Sequence, residues 1–308
     1  MTSSQTSSSK GHIAMAFAAL IWGLMSPVCK FVVLGGQVNA VSLASFRLAG
    51  ATILFWIVSL FFPTEAIEKS DKKQIFFAAL FGIILNQMAF TVGVGYTSPA
   101  DAAIITTITP IFTMILSALL LHEHITGKKS MGVLLSFLGA IILISNSHHA
   151  SSAPGDNNLL GNLLCLGSQC CVAIYFVKFK SLMARYTPIT LMKWMFLYAT
   201  LTCLPFTFTE LTNIPYASVP WQTWLGVFYV VGFATFISYI CLAFAQGRLR
   251  PTAVSMYNYT QPIIATCIAI LWGMDRFSWL KLLSILLIFL GVFLANSSTL
   301  SAKTFSRN

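Results

Sequence analysis

Charged residues are scarce in this sequence. They make up 8% of its 308 positions, whereas about a quarter of the residues in a soluble globular domain are charged. So few charges cannot cover a surface that faces water, and apolar residues amount to 57% of the chain. The composition therefore predicts an integral membrane protein and excludes an ordinary soluble domain.

The sequence patterns of catalytic and cofactor sites are also lacking. The chain has no phosphate-binding loop, no glycine-rich nucleotide loop and no Ser-His-Asp or metal constellation. Its seven cysteines lie within apolar runs without metal-ligand spacing, so we expect them to be small buried side chains. We therefore expect no cofactor, no metal and no enzymatic activity.

Long apolar runs are what the sequence does contain. A helix that crosses a bilayer needs about 20 mostly apolar residues, and no small-residue cleavage site follows the first run, which we interpret as a retained helix. The fold class that follows is an all-α integral membrane protein with ten transmembrane helices. Their expected limits are 12–34, 40–62, 74–96, 100–121, 128–146, 158–180, 187–208, 221–247, 251–272 and 277–296.

The basic residues predict the orientation of these helices. With a cytoplasmic N-terminus, only Arg276 and Lys281 lie in external segments. Lys and Arg are enriched in the cytoplasmic segments of membrane proteins, so both termini are predicted to be cytoplasmic, in the plasma membrane. Thirteen basic residues then lie on the cytoplasmic side: Lys10, Lys69, Lys72, Lys73, Lys128, Lys129, Lys178, Lys180, Arg185, Arg248, Arg250, Lys303 and Arg307.

The two halves of the chain, 1–150 and 151–308, repeat each other at an offset of 152 residues. Each half has five spans, and because five is odd the second copy enters the membrane from the opposite side. Such an inverted repeat lets two similar bundles exchange conformations, as a transporter requires. The equivalent pairs are Pro99 and Pro251, Pro110 and Pro262, Glu123 and Asp275, and Lys129 and Lys281.

Several segments, in this order and spacing, resemble a known family. They are "WGLMSP", "SFRLAG", "GYTSPADAAIITTITPIFTMILSALLLHE", "GKKSMGVLLSFLGAIIL", "TFISYICLAFA" and "PTAVSMYNYTQPIIATCIAILWGMD". Together they resemble the EamA-type branch of the drug/metabolite transporter superfamily. The resemblance implies a ten-helix bundle with a central cavity between the halves, and export of small metabolites such as amino acids. The ninth helix of that family usually ends with Glu, and here it ends with Asp275.

Polar residues recur within the apolar runs at equivalent depth in both halves. Pro110 and Pro262 interrupt their helices beside polar patches, and each frees a backbone carbonyl, which needs a partner or a water-filled cavity in hydrocarbon. We therefore expect a substrate cavity at the repeat interface, with the two prolines as hinges, although Asn, Gln and Thr can also simply bond helices together. The candidate cavity residues are Trp22, Asn86, Gln87, Thr106, Thr107, Tyr175, Ser238, Tyr239, Tyr257, Asn258, Tyr259 and Gln261.

A few charged residues lie within or beside the spans. Arg47 is interpreted either as an anchor or gate for a substrate carboxylate, or as a side chain that snorkels to the outer surface. Glu123 and Asp275 end helices on opposite sides, where they either close gates by pairing with basic residues or remain solvated. Lys30 is expected to snorkel, and Asp101 to cap the start of its helix.

The leading interpretation is a secondary transporter whose partners are a small-molecule substrate and the bilayer, with a second copy of the chain as a candidate partner and no nucleic acid. A membrane enzyme acting on lipid and a small-molecule sensor remain alternatives. The enzyme would need clustered catalytic residues, and the sensor would need an output domain. The sequence leaves the substrate, the coupling ion and the direction of transport open.

Overall fold

The computed structural model describes residues 3–63, 65–121, 127–146, 157–246, 257 and 260–305. Within these residues the chain forms ten main helices in the predicted order. They are α1 (Ser3–Leu34), α2 (Ala40–Ser59), α3 (Lys69–Tyr96), α4 (99–121), α5 (Gly127–Asn146), α6 (Asn158–Lys178), α7 (Pro188–Thr212), α8 (221–246), α9 (Thr260–Leu271) and α10 (Trp279–Phe305).

The lengths and composition of these helices confirm the predicted fold class. Seven of them are long and apolar enough to cross a membrane, and α5, α9 and α10 contribute shorter apolar segments within the described residues. The limits differ from the prediction chiefly where a polar segment extends a helix beyond the apolar run. Thus α3 begins at Lys69 and α7 ends at Thr212. The helix of α9 is described only from Thr260 onward.

The starts of α4 and α7 follow from two short sequences, Ser98-Pro99 and Thr187-Pro188. In each, the hydroxyl residue is the N-cap and accepts a hydrogen bond from a backbone N–H of the first turn. Proline fits the next position because its missing N–H would have no partner there. The expectation that Asp101 caps α4 is therefore wrong: Ser98 is the cap, and Asp101 is left to pair with another residue.

Packing between helices follows the inverted repeat. Helix α1 packs on α8 and α9, and its equivalent α6 packs on α3 and α4. Two further contacts join equivalent helices directly, α2 with α7 and α5 with α10. In the last pair, the Ser136 hydroxyl donates to the carbonyl oxygen of Ile288, the residue 152 positions later, at 3.3 Å. The packing thus joins the two five-helix repeats as a pseudo-two-fold arrangement.

Helices α3 and α8 each contain a π-helical segment at equivalent positions. These segments are Leu80–Leu85 and Tyr229–Ile237, and the offset of 152 places the first on residues 232–237 of the second. Segments of this kind are rare and occur frequently at functional sites. Each ends immediately before a candidate cavity pair, Asn86-Gln87 in α3 and Ser238-Tyr239 in α8.

Candidate functional site

A buried cluster of polar and aromatic side chains lies where α1, α2 and α3 meet α8. We call it the central cluster, and it contains two residues one helical turn apart on α3 and two on α8. Residues four apart lie on the same face of a helix, so each pair faces the cluster together. Its members are Trp22, Arg47, Gln87, Thr91, Thr235 and Tyr239.

Arg47 joins the two repeats within this cluster. Its side chain donates from Nε to the Thr235 hydroxyl at 3.1 Å and from one terminal nitrogen to the Thr91 hydroxyl at 2.9 Å. The residue is only 3% exposed. It therefore does not snorkel to a surface, which removes one of the two interpretations that the sequence left open.

The positive charge of Arg47 has no carboxylate partner in the described part of the chain. The ion pairs found there belong to Arg185 and Lys281. Hydroxyl groups satisfy hydrogen-bond donors but carry no compensating charge. A buried ion without a counter-charge is costly, by on the order of several kcal/mol. The cluster thus holds an uncompensated buried cation.

Gln87 contributes an amide without a hydrogen-bond partner. The residue is 1% exposed, and neither its side-chain oxygen nor its nitrogen makes a hydrogen bond of normal distance and angle to a described residue. The Tyr239 hydroxyl lies close to it and also within electrostatic range of Arg47. Buried polar side chains are nearly always hydrogen-bonded, and an exception calls for an explanation such as a missing ligand or water.

Aromatic rings enclose Tyr239. Trp22 packs against it edge to face, with ring centroids 6.3 Å apart, while the Trp22 indole N–H donates to the Ala234 carbonyl oxygen at 3.1 Å. Phe196 of α7 also packs edge to face with Tyr239, with ring centroids 6.1 Å apart. The rings give the cluster an apolar wall beside its polar groups.

The predicted polar residues of α3 and α4 mostly bond within the bundle. The Asn86 amide donates to the carbonyl oxygen of Ser168 in α6 at 3.0 Å. The hydroxyls of Thr106 and Thr107 donate to carbonyl oxygens of their own helix, at 2.7 Å in both cases. These side chains therefore already have partners in this conformation. The bond from Asn86 also joins α3 to α6.

Helix α4 is interrupted beside Pro110. It stops at Thr106 and resumes at Thr109. The carbonyl oxygen of Thr106, which Pro110 cannot bond, accepts the Thr109 hydroxyl at 2.7 Å. The same hydroxyl lies 2.7 Å from the Gln169 side-chain oxygen in α6. The polar residues around the proline thus satisfy the backbone group that it frees.

The remaining candidates lie beside the central cluster, around the start of α9, or outside the described residues. The Tyr257 hydroxyl forms a hydrogen bond with His12 Nδ1 at 3.0 Å. In the first turn of α9, Gln261 is partly buried and Pro262 is buried. The Ser238 hydroxyl donates to the Phe233 carbonyl oxygen within the π segment, and Tyr175 packs over Gly82. Three candidates, Asn258, Tyr259 and Glu123, lie outside the described residues.

A second charged cluster closes one end of the bundle, which we call the outer end after the predicted orientation. The Lys281 ammonium lies 3.0 Å from Asp101 and 2.7 Å from Asp275, and all three side chains are nearly inaccessible to solvent. Asp275 is thus not an ordinary solvated helix end, and it has the basic partner that a gate needs. Sequence reasoning missed Asp101 as its companion.

Lys30 also bonds at the outer end. It is 3% exposed and donates to the Gly95 carbonyl oxygen at 2.8 Å, so the expectation that it snorkels is wrong. Nearby, the Thr97 hydroxyl donates to the Asn162 side chain at 2.7 Å. These bonds connect the end of α1 to α3, and the end of α3 to α6. The outer end is therefore tightly held.

Sequence reasoning missed Thr91 and Thr235, although a signal for both was present. Each lies one helical turn from a predicted cavity residue, Gln87 or Tyr239, on the same helix face. Phe196 had no comparable signal, because phenylalanine is common throughout the chain. Within the described residues, no group of three or more His, Cys, Asp or Glu side chains could hold a metal ion.

Known proteins resemble this chain over most of its length. The model of the EamA-like transporter family matches residues 9–145 and 159–297. A solved crystal structure superposes with a TM-score of 0.61, covering 96% of this chain and 99% of the other at 16% identity, a likeness that concerns the fold alone.

Several relatives are named as transporters, among them the following three. An uncharacterized transporter of Archaeoglobus fulgidus is 31% identical over 59% of this chain and 62% of its own length. The uncharacterized transporter YetK of Bacillus subtilis is 25% identical over 92% of this chain and 85% of its own length. A "probable terminal-alkyne amino-acid exporter" of Streptantibioticus cattleyicolor is 22% identical over 96% of both chains.

Proposed function

Because the chain belongs to the EamA-like transporter family, and is thus a membrane transporter, we propose that it exports small metabolites such as amino acids. Transport proceeds by alternating access, with the substrate held in the central cluster. The observation that carries this proposal is the unbonded amide of Gln87, which is buried at the interface of the two repeats. An amino acid offers the donors and acceptors that this amide lacks.

The π segments support the choice of this location. They lie at equivalent positions in α3 and α8, one turn or less from Gln87 and Tyr239. Inverted-repeat transporters bind substrate near the midplane, between repeats, where helices are irregular. The amino-acid class is further supported by the name of the Streptantibioticus relative, which matches this chain over nearly its full length.

Alternating access is supported by a difference between equivalent lysines. Lys30 is buried in the closed outer end, whereas Lys180 at the inner end is exposed. The two are equivalent because the first helices of the two repeats align near an offset of 150 residues rather than 152. In the other conformation of an inverted-repeat transporter, each repeat takes the environment that its counterpart has in this one. On this proposal the structure represents the state closed to the outside, and the other state releases Lys30.

We propose that the protein lies in the plasma membrane, with both termini in the cytoplasm; the distribution of basic residues supports that orientation. Its partners are then the bilayer and a small-molecule substrate, with a second copy of the chain as a further candidate partner. Export follows from this orientation if substrate enters from the inner end.

The test is transport by the purified full-length protein in liposomes. Vesicles are loaded with one common amino acid at a time, and counterflow of the labelled amino acid is followed with no other reactant added. At least one amino acid should exchange faster than in protein-free vesicles. If no amino acid exchanges, the proposal is wrong, and turnover of vesicle lipid would then identify a membrane enzyme instead.

A further inference from the structure

Arg47 is a buried cation whose two bonded partners are uncharged. It donates to Thr91 and Thr235, and no carboxylate of the described residues lies within ion-pairing distance. A neutral side chain could form hydrogen bonds to both hydroxyls at a smaller desolvation cost. The charge itself therefore calls for an explanation, and an anionic ligand supplies one.

The geometry points to a substrate carboxylate as the missing counter-charge. We propose that the transported substrates are carboxylates, amino acids among them, and that the Arg47 guanidinium binds their carboxylate group. This inference rests on the proposed function and deepens it by naming the group that the site recognises. Guanidinium and carboxylate match in plane and spacing, so that two parallel hydrogen bonds form.

The neighbours of Arg47 fit the same ligand. The free amide of Gln87 can donate one hydrogen bond to a carboxylate or accept one from an ammonium group. The rings of Trp22 and Tyr239 lie beside these groups and can contact an apolar side chain or a cation. A single guanidinium balances a single negative charge, so a doubly charged phosphate would leave one buried charge uncompensated.

The two threonines hold the guanidinium before the ligand arrives. Thr91 belongs to the first repeat and Thr235 to the second, and each uses one donor of Arg47. A guanidinium has five N–H donors, which leaves others for a carboxylate. Pre-ordering the side chain lowers the conformational cost of binding.

The first arm of the experiment compares amino acids with their α-amides, which keep the side chain and amine but lose the carboxylate. Counterflow is measured in proteoliposomes of the unaltered full-length protein. The acids should exchange at least about tenfold faster than the amides, as expected for loss of a charge-assisted hydrogen bond. Equal exchange of acids and amides overturns the carboxylate inference and leaves the proposed function intact. If neither the acids nor the amides exchange, the proposed function itself is wrong.

The second arm changes the charge. Arg47→Gln should abolish the preference for acids over amides, and Arg47→Lys should retain part of it, because a lysine keeps the charge without the planar fork. Arg276→Gln, at an exposed loop position, is the matched control and should behave as the parent. A preference that survives in Arg47→Gln overturns the inference.

If Arg47→Gln does not fold, a binding measurement on the unaltered protein still tests the inference. Ligands that bind only the folded protein raise its thermal transition. The apparent Tm of the unaltered protein in detergent should therefore rise with the transported acids and not with their amides. Equal stabilisation by both members of each pair overturns the inference without any variant.

Discussion

The ammonium group of Lys281 lies 3.0 Å from a carboxylate oxygen of Asp101, which joins the start of α10 to the start of α4 at the outer end. Both side chains are almost completely buried, and Lys281 also pairs with Asp275 at 2.7 Å. The desolvation of a buried pair is recovered only while both partners remain. Removal of one partner of this ion pair at the outer end is therefore costly in free energy.

We expect Lys281→Met to destabilise the protein, because it leaves two buried carboxylates without their cation. Removing one partner of a buried ion pair costs about 3–5 kcal/mol. The apparent Tm of the purified variant should fall clearly, whereas Lys178→Met, at an exposed position, should leave it unchanged. The double variant Asp101→Asn, Lys281→Met should recover part of the loss. Strictly additive losses would show that the two groups are not coupled.

The orientation of the helices can be tested with reporters. Fusions after Asn308 and at Ser151 should report the cytoplasm and the external side respectively, because five spans separate the two positions. Reporter activity at each site in whole cells is the measurement. Activity on the same side at both sites is incompatible with two inverted five-helix repeats.

Pro110 is expected to allow bending of α4 during the cycle. Pro110→Ala supplies a backbone N–H that can bond the Thr106 carbonyl, which now accepts the Thr109 hydroxyl. The interruption of α4 should then close and the helix should stiffen. We expect the transport rate to fall by about tenfold while substrate affinity changes little, as measured by counterflow and by ligand-dependent Tm. A variant that transports at the parental rate shows that α4 does not bend there. Pro262→Ala is the equivalent test in α9.

The fold was predictable because it depends on features that a single chain displays. Continuous apolar runs define the spans, and the equivalence of Pro110 with Pro262 reveals the repeat. The π segments before Asn86 and Ser238 were not predictable, because they consist of mostly apolar residues with one glycine each, a composition that is also common in regular transmembrane helices. Their geometry is decided by packing between helices, and no local residue signals it.

The candidate site was predictable only in part. The positions of Gln87 and Tyr239 in the chain indicated polar groups in apolar helices, and the structure brings both beside Arg47. The burial of Lys30 was not predictable, because its partner is a backbone carbonyl of Gly95, and a backbone group has no sequence signature. Asp101 was misassigned for a related reason: the neighbouring Ser98 satisfies the cap, and the cation that Asp101 binds lies far along the chain.

The proposed function requires substrate to bind among the polar groups of the central cluster, at the repeat interface. Amino-acid counterflow by Gln87→Leu tests it most directly, with Gln222→Leu at an exposed position of α8 as the matched control. We expect Gln87→Leu to fold at least as stably as the parent, because it removes a buried unbonded amide, and its exchange rate to fall at least about tenfold. Gln222→Leu should exchange at the parental rate. Parental exchange by Gln87→Leu, with parental substrate preference, would show that substrate does not bind at this cluster.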